Sequence, residues 1–215
     1  MFNFFRKSNK QSALPQLHGI TIDRAVAIDS VAVKILPDDS LMDVPTTAFK
    51  IVAQGHCDLG EQSHLHRFYP DDDRLLLQLQ GGDGFNDERV DEIMLWTYYD
   101  VQYPSSEEHW QEVRDSICLP SFTLDGPNGA VVYERAWFGN SSRHEEPMQY
   151  WEQVFEDASG KKSRRIFQTA MLFGRTLSDG QNEMLLVNME EDEKSGERSV
   201  AYMLGRMLAE HELNI

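Results

Sequence analysis

Apolar positions along this chain come in short, densely punctuated runs, and several alternate with polar residues in the two-residue period of a half-buried strand. "TTAFKIVAQG" (46–55), "VDEIMLWTYYDVQYP" (90–104) and "AVVYERAWFG" (130–139) read as strands, and "SVAVKILP" (30–37) reads as another. Their β-branched and aromatic residues suit a pleated, half-buried surface. "SHLHRFYPDDDRLLLQLQ" (63–80) reads as a hairpin. Two further hairpins turn at Ser159 and Gly160 and at Asp179 and Gly180. In the second, the Asp-Gly pair supplies the positive φ angles that a tight turn needs.

Two segments break this rhythm. "PSSEEHWQEVRDSI" (104–117) sets Ser105 three residues before Glu108, a capping pattern, and spaces Trp110, Val113 and Ile117 as one helical face. "RSVAYMLGRMLAEHEL" (198–213) puts Val200, Met203, Leu204, Met207 and Leu208 on one stripe, which predicts a C-terminal amphipathic helix docked on a sheet. The expected class is therefore α+β: mostly antiparallel strands and hairpins, one short internal helix and the C-terminal helix. Residues 1–17 read as a flexible basic tail and 18–215 as a single domain.

Charge narrows the partners. The 215-residue chain carries a net charge of −16, which repels phosphate backbones and argues against nucleic acid. Residues 1–22, by contrast, carry Arg6, Lys7 and Lys10 and no acid. "FNFFRK" places aromatic residues beside that charge, so residues 1–10 are the place for a peripheral membrane contact. The apolar runs fall far short of the ~20 residues that cross a bilayer. The start of the chain does not read as a signal peptide, and two cysteines, Cys57 and Cys118, are too few for a disulfide framework. A cytoplasmic protein with free thiols is expected.

The candidate chemistry concentrates in "QGHCDLGEQSHLHRFYPDDD" (54–73). If the following turn closes around Asp71 and Asp72, His64 and His66 share a face with Leu75, Leu77 and Leu79, because alternate strand positions point the same way. A His-x-His pair presents two imidazoles to one metal, and His56 and Cys57 add ligands that suit zinc. The spacing departs from the cupin metal motif, with Tyr69 and Pro70 where its acid belongs and Asp58 where its glycine belongs. No nucleophile elbow is present, and Cys118 lies in apolar surroundings that keep a thiol protonated. "QGGDGFND" lacks the lysine and hydroxyl of a phosphate loop. Arg67, Arg135 and Arg175 each sit within an apolar or aromatic strand. There they either pair with carboxylates or converge on an anionic ligand.

"DLGEQSHLHRFYPDDDRLLLQ", "YPSSEEHWQEV", "YERAWF" and "MLFGRT…EMLLVNMEED" together resemble the uncharacterised bacterial family of unknown function that includes the YjfK proteins, over residue 17 to the C-terminus. The resemblance implies a soluble cytoplasmic bacterial protein with no established activity, encoded near membrane-stress proteins of the phage-shock type. It assigns no functional residues. The leading reading is a non-enzymatic accessory or adaptor protein that binds another protein and needs no cofactor. The alternative is a metal-dependent enzyme, with zinc or another divalent ion, or a small-molecule binder that uses the His64/His66 strand.

Overall fold

In the computed structural model, which describes residues 14–29, 31 and 36–215, almost every apolar run is a strand. The strands are β1 (Ala25–Ile28), β2 (Ala48–Asp58), β3 (His64–Pro70), β4 (Leu75–Gly81), β5 (Val90–Gln102), β6 (Ser121–Gly126), β7 (Gly129–Arg135), β8 (Met148–Phe155), β9 (Ser163–Thr176), β10 (Asn182–Asp192), β11 (Arg198–Met207) and β12 (Leu213–Asn214). The α-helix α1 (Glu107–Ile117) lies between β5 and β6, and a short 3-10 turn spans Glu210–Glu212. The expected tail contact at residues 1–10 and most of the strand expected at 30–37 lie outside the described residues.

Neighbours pair in the order β2-β3-β4-β5-β11-β10-β9, and β8 pairs with both β9 and β2. This last strand closes a ring of eight antiparallel strands. Closure removes the free edges that an open sheet must otherwise protect. Much of the ring is buried on both faces, whereas β8 leaves Gln149 and Trp151 of its outer face exposed. Outside the ring, Phe68, Leu77, Leu79 and Leu95 pack against Leu17, Ile20 and Ile22 of the N-terminal segment. Gln54 holds that segment in place: its Nε2 donates to the Pro15 carbonyl at 2.6 Å and its Oε1 accepts from the Ile22 amide at 3.2 Å. On the opposite outer face, Phe173, Leu185, Val187 and Leu204 pack under Val113 and Ile117 of α1 and Tyr133 of β7.

The C-terminal amphipathic helix does not exist, and the fold is a mostly β closed barrel rather than α+β. Residues 198–207 form β11, which pairs with β5 on one side and β10 on the other. Val200, Tyr202 and Leu204 face outward, while Ala201 and Met203 face the barrel interior. A strand buried on both sides loses its alternation and reads as a continuous apolar run, and a helical stripe can then be drawn through residues of both faces. Gly205 belongs to the strand for a steric reason: a Cβ there would lie 2.2 Å from the Trp96 ring of β5.

The internal helix is present. Its cap is Ser106, one residue later than the pattern suggested, and Ser106 Oγ accepts from the His109 amide at 3.1 Å. The β3–β4 hairpin pairs His66 with Leu79 and Phe68 with Leu77. A turn closing around Asp71 and Asp72, as expected from sequence, would have set His66 opposite Leu77, a register two residues away. An even shift keeps every side chain on its expected face. Among the described residues, no helix is long and apolar enough to cross a membrane.

Candidate functional site

Alternation along β3 sends His64, His66 and Phe68 outward and Leu65, Arg67 and Tyr69 inward. Arg67 enters the barrel at a level where β8 supplies Tyr150 and Glu152. Its Nη1 donates to Glu152 Oε2 at 2.8 Å, its Nη2 to the Tyr150 hydroxyl at 2.8 Å and its Nε to Gln78 Oε1 at 3.3 Å. Glu152 also accepts from the Tyr69 hydroxyl and from Gln168 Nε2, both at 2.7 Å. Burial opposes the charge on Arg67, yet Tyr150 and Glu152 outweigh it and the guanidinium pKa rises. Burial also pushes the Tyr69 and Tyr150 hydroxyls up, so both stay protonated, Tyr69 donating to Glu152 and Tyr150 accepting from Arg67. The space for this pair comes from Gly55 of β2, where a Cβ would stand 1.7 Å from Glu152 Oε1.

A cavity of about 610 Å³ opens on one side of this network. Leu65, Met94, Trp96, Leu172 and Leu186 form its wall, Arg67, Gln78 and Tyr150 form its polar floor, and Gln80, Glu92 and Arg206 add further polar groups to the lining. Exposed residues of the β9–β10 turn, Gly180 to Asn182, and Met207 stand at the rim. Toward the other end of β5 lies a second cavity, of about 620 Å³, lined by Tyr98, Val101, Tyr103 and Glu190. Burial raises the Glu190 carboxyl pKa, and Asn188 Nδ2 donates to it at 2.8 Å.

The histidines gather on the outer face. His56 stands 5.1 Å from His64 and 5.0 Å from His66, ring centre to ring centre, with the Phe85 edge against it. His66 Nε2 donates to the Gly82 carbonyl at 2.7 Å, which leaves Nδ1 as the unprotonated nitrogen. Among the described residues, that atom, His64 Nδ1 and His56 Nε2 are buried without hydrogen-bond partners. Burial, then the neighbouring His66 and His64, lower the His56 pKa to about 4. Cys57 does not join them: it faces the barrel interior, fully buried, and burial raises its thiol pKa. Adjacent strand residues point to opposite faces, so the four expected ligands divide three and one.

The three arginines have separate commitments. Arg175 reaches Glu183 Oε1 through Nε at 2.9 Å and Nη2 at 2.7 Å. Arg135 donates to the carbonyls of Gly139 (2.8 Å), Cys118 (2.9 Å) and Ser142 (2.7 Å). Sequence reasoning missed Glu152 and Tyr150, whose only signal was that a strand arginine needs a partner. It also missed that Cys118, His144 and Glu146 come together. One ligand atom from each of these three lies within 4.8 Å of the other two, and among the described residues this is the group that meets that spacing.

The family described as "Protein of unknown function (DUF2491)" matches residues 1–214. The chain is 29% identical over 192 residues to the uncharacterized protein YjfK of Escherichia coli (strain K12), which covers 87% of this chain and 83% of that protein. No solved structure matches.

Proposed function

The chain belongs to the DUF2491 family, and we propose that its barrel binds one small molecule with a largely apolar body. The observation that carries this reading is the cavity of about 610 Å³ inside a closed eight-stranded ring. Barrels of this strand number are wide enough to hold one small ligand, and pockets of a few hundred cubic ångströms with apolar walls and a few polar groups are the usual form of such sites. The strand expected to carry function, β3, lines this cavity with Leu65 in the wall and Arg67 in the floor, and not with His64 and His66. Arg67 is neutralised by Glu152 and bonded through all three of its nitrogens, so the floor offers polarity without net charge. Glu92 and Arg206 also line the cavity, one of each sign, so a ligand without net charge fits it better than an anion.

Titration with 1-decanol and with decanoate, followed through tryptophan fluorescence, tests this. Saturable binding of the alcohol, tighter than that of the acid and abolished by Leu186→Trp in a protein that still melts cooperatively, is the expected result. Binding that survives the filled cavity would overturn it.

The accessory role is the second reading. Tyr103 and Phe138, 76% and 56% exposed, are large side chains of the kind enriched at protein interfaces. Loss of a co-purifying protein on Tyr103→Ser would support it, and retention of that protein in both Tyr103→Ser and Phe138→Ser would count against it.

A further inference from the structure

Cys118 closes α1: its amide donates to the Asp115 and Ser116 carbonyls, and its Sγ donates to the Arg114 carbonyl at 3.2 Å. The loop that follows β7 returns to this point. Arg135, 3% exposed, has no carboxylate among its partners given above and instead holds the carbonyls of Gly139, Cys118 and Ser142 together. The Glu145 amide adds a bond to the Cys118 carbonyl at 3.0 Å. Helix end and loop are thereby tied into one unit that presents a thiol, an imidazole and a carboxylate. His144 Nε2 and Glu146 Oε1 are 3.1 Å apart, with side chains 61% and 66% exposed, and the Cys118 sulfur sits beneath them, 1% exposed.

We propose that Cys118, His144 and Glu146 form a site for a zinc-type divalent cation. Sulfur, nitrogen and oxygen from three residues, with a solvent-facing side free for water, form a donor set that zinc accepts. The site lies at the C-terminal end of α1, where the helix carries partial negative charge and favours a cation. Two carboxylates, Glu146 and Asp115, face it, and two guanidiniums, Arg114 and Arg135, oppose it. Arg114 acts through Glu146 Oε2, which it holds at 2.9 Å, and so orients the carboxylate while leaving Oε1 toward the site. The Cys118 sulfur carries its proton, because it donates to the Arg114 carbonyl. Binding therefore replaces the S–H bond with an S–metal bond, gives up the hydrogen bond to the Arg114 carbonyl and the contact between His144 Nε2 and Glu146 Oε1, and releases the thiol proton to solvent.

Cobalt(II) titration of the full chain, stripped with chelator, tests this. The expected result is a thiolate-to-cobalt charge-transfer band that zinc abolishes, with about one proton released per ion at neutral pH. Cys118→Ala should remove the band and Cys57→Ala should keep it. His144→Ala and Glu146→Gln, at exposed positions where folding is not at stake, should each weaken affinity about tenfold or more. Absence of the band, its survival in Cys118→Ala, or unchanged affinity in both exposed variants would overturn the assignment.

Discussion

Arg67 and Glu152 meet 2.8 Å apart inside the barrel, with side chains 1% and 0% exposed. They come from strands far apart in the chain and reach each other because β8 closes the ring against β2, next to β3. Removing one partner leaves the other buried without its counter-charge, which costs about 3–5 kcal/mol, whereas replacing both with apolar residues costs much less. Arg67→Met and Glu152→Leu should each lower unfolding free energy by about that amount. The double variant Arg67→Met/Glu152→Leu should recover much of the loss. Urea denaturation of all four proteins measures it, and additive losses would show that the two side chains act independently.

Gly55 leaves the room this pair occupies. A methyl group there would overlap Glu152 Oε1, and that carboxylate cannot swing aside freely because Arg67, Tyr69 and Gln168 all bond it. Gly55→Ala should therefore destabilise by about 3 kcal/mol, near the upper end for overpacking a dense interior. Gly60→Ala provides the contrast, because its Cβ meets nothing within 4 Å and only the φ of +81° opposes it. Melting curves of the two variants should differ clearly. Equal losses would mean that space at Gly55 does not matter.

Leu77 tests the outer core. It is fully buried on β4, opposite Phe68, in the cluster that the N-terminal segment covers. Leu77→Ala should cost about 2–5 kcal/mol through lost burial and the cavity left behind. A loss under about half a kcal/mol would contradict the burial described here.

What could be read from sequence divides along physical lines. β2, β5 and the hairpins were legible because alternation and turn chemistry are local properties. The shared face of His64 and His66 was legible for the same reason, and it survived a two-residue register error because side-chain direction repeats every two residues. β11 was not legible, because burial on both faces erases alternation. Nor was closure of the ring, since the pairing of Gln54–Cys57 with Glu152–Phe155 joins segments about a hundred residues apart and leaves no local trace. Grouping Cys57 with His56 neglected the period of two that was available at the outset. The cavity could not be anticipated, because it depends on which inward residues meet across the closed ring.

The histidine cluster makes stability depend on pH in a direction that can be worked out. His56 titrates at about 4 in the folded protein because it is buried beside His66 and His64. The groups that act on it are those two histidines together with Asp58 and Asp83, whose charges oppose the shift without cancelling it. An unfolded histidine titrates near 6.5. Between those two values the unfolded chain binds a proton that the folded chain does not, so acidification favours unfolding. The contribution is fully present above about pH 6.5 and is lost as pH falls toward 4. His66, lowered mainly by burial, adds to the same trend. From about pH 7 to about pH 5, His56 should account for a loss on the order of 1–2 kcal/mol, after discounting for its partial contact with solvent. Urea unfolding at several pH values in the wild type and in His56→Gln isolates this term from the many carboxylates, which titrate in both proteins alike. The variant's stability should fall less steeply across that window. Parallel curves for the two proteins would mean that His56 binds its proton alike in the folded and unfolded chains, so that burial among the three rings does not hold it neutral.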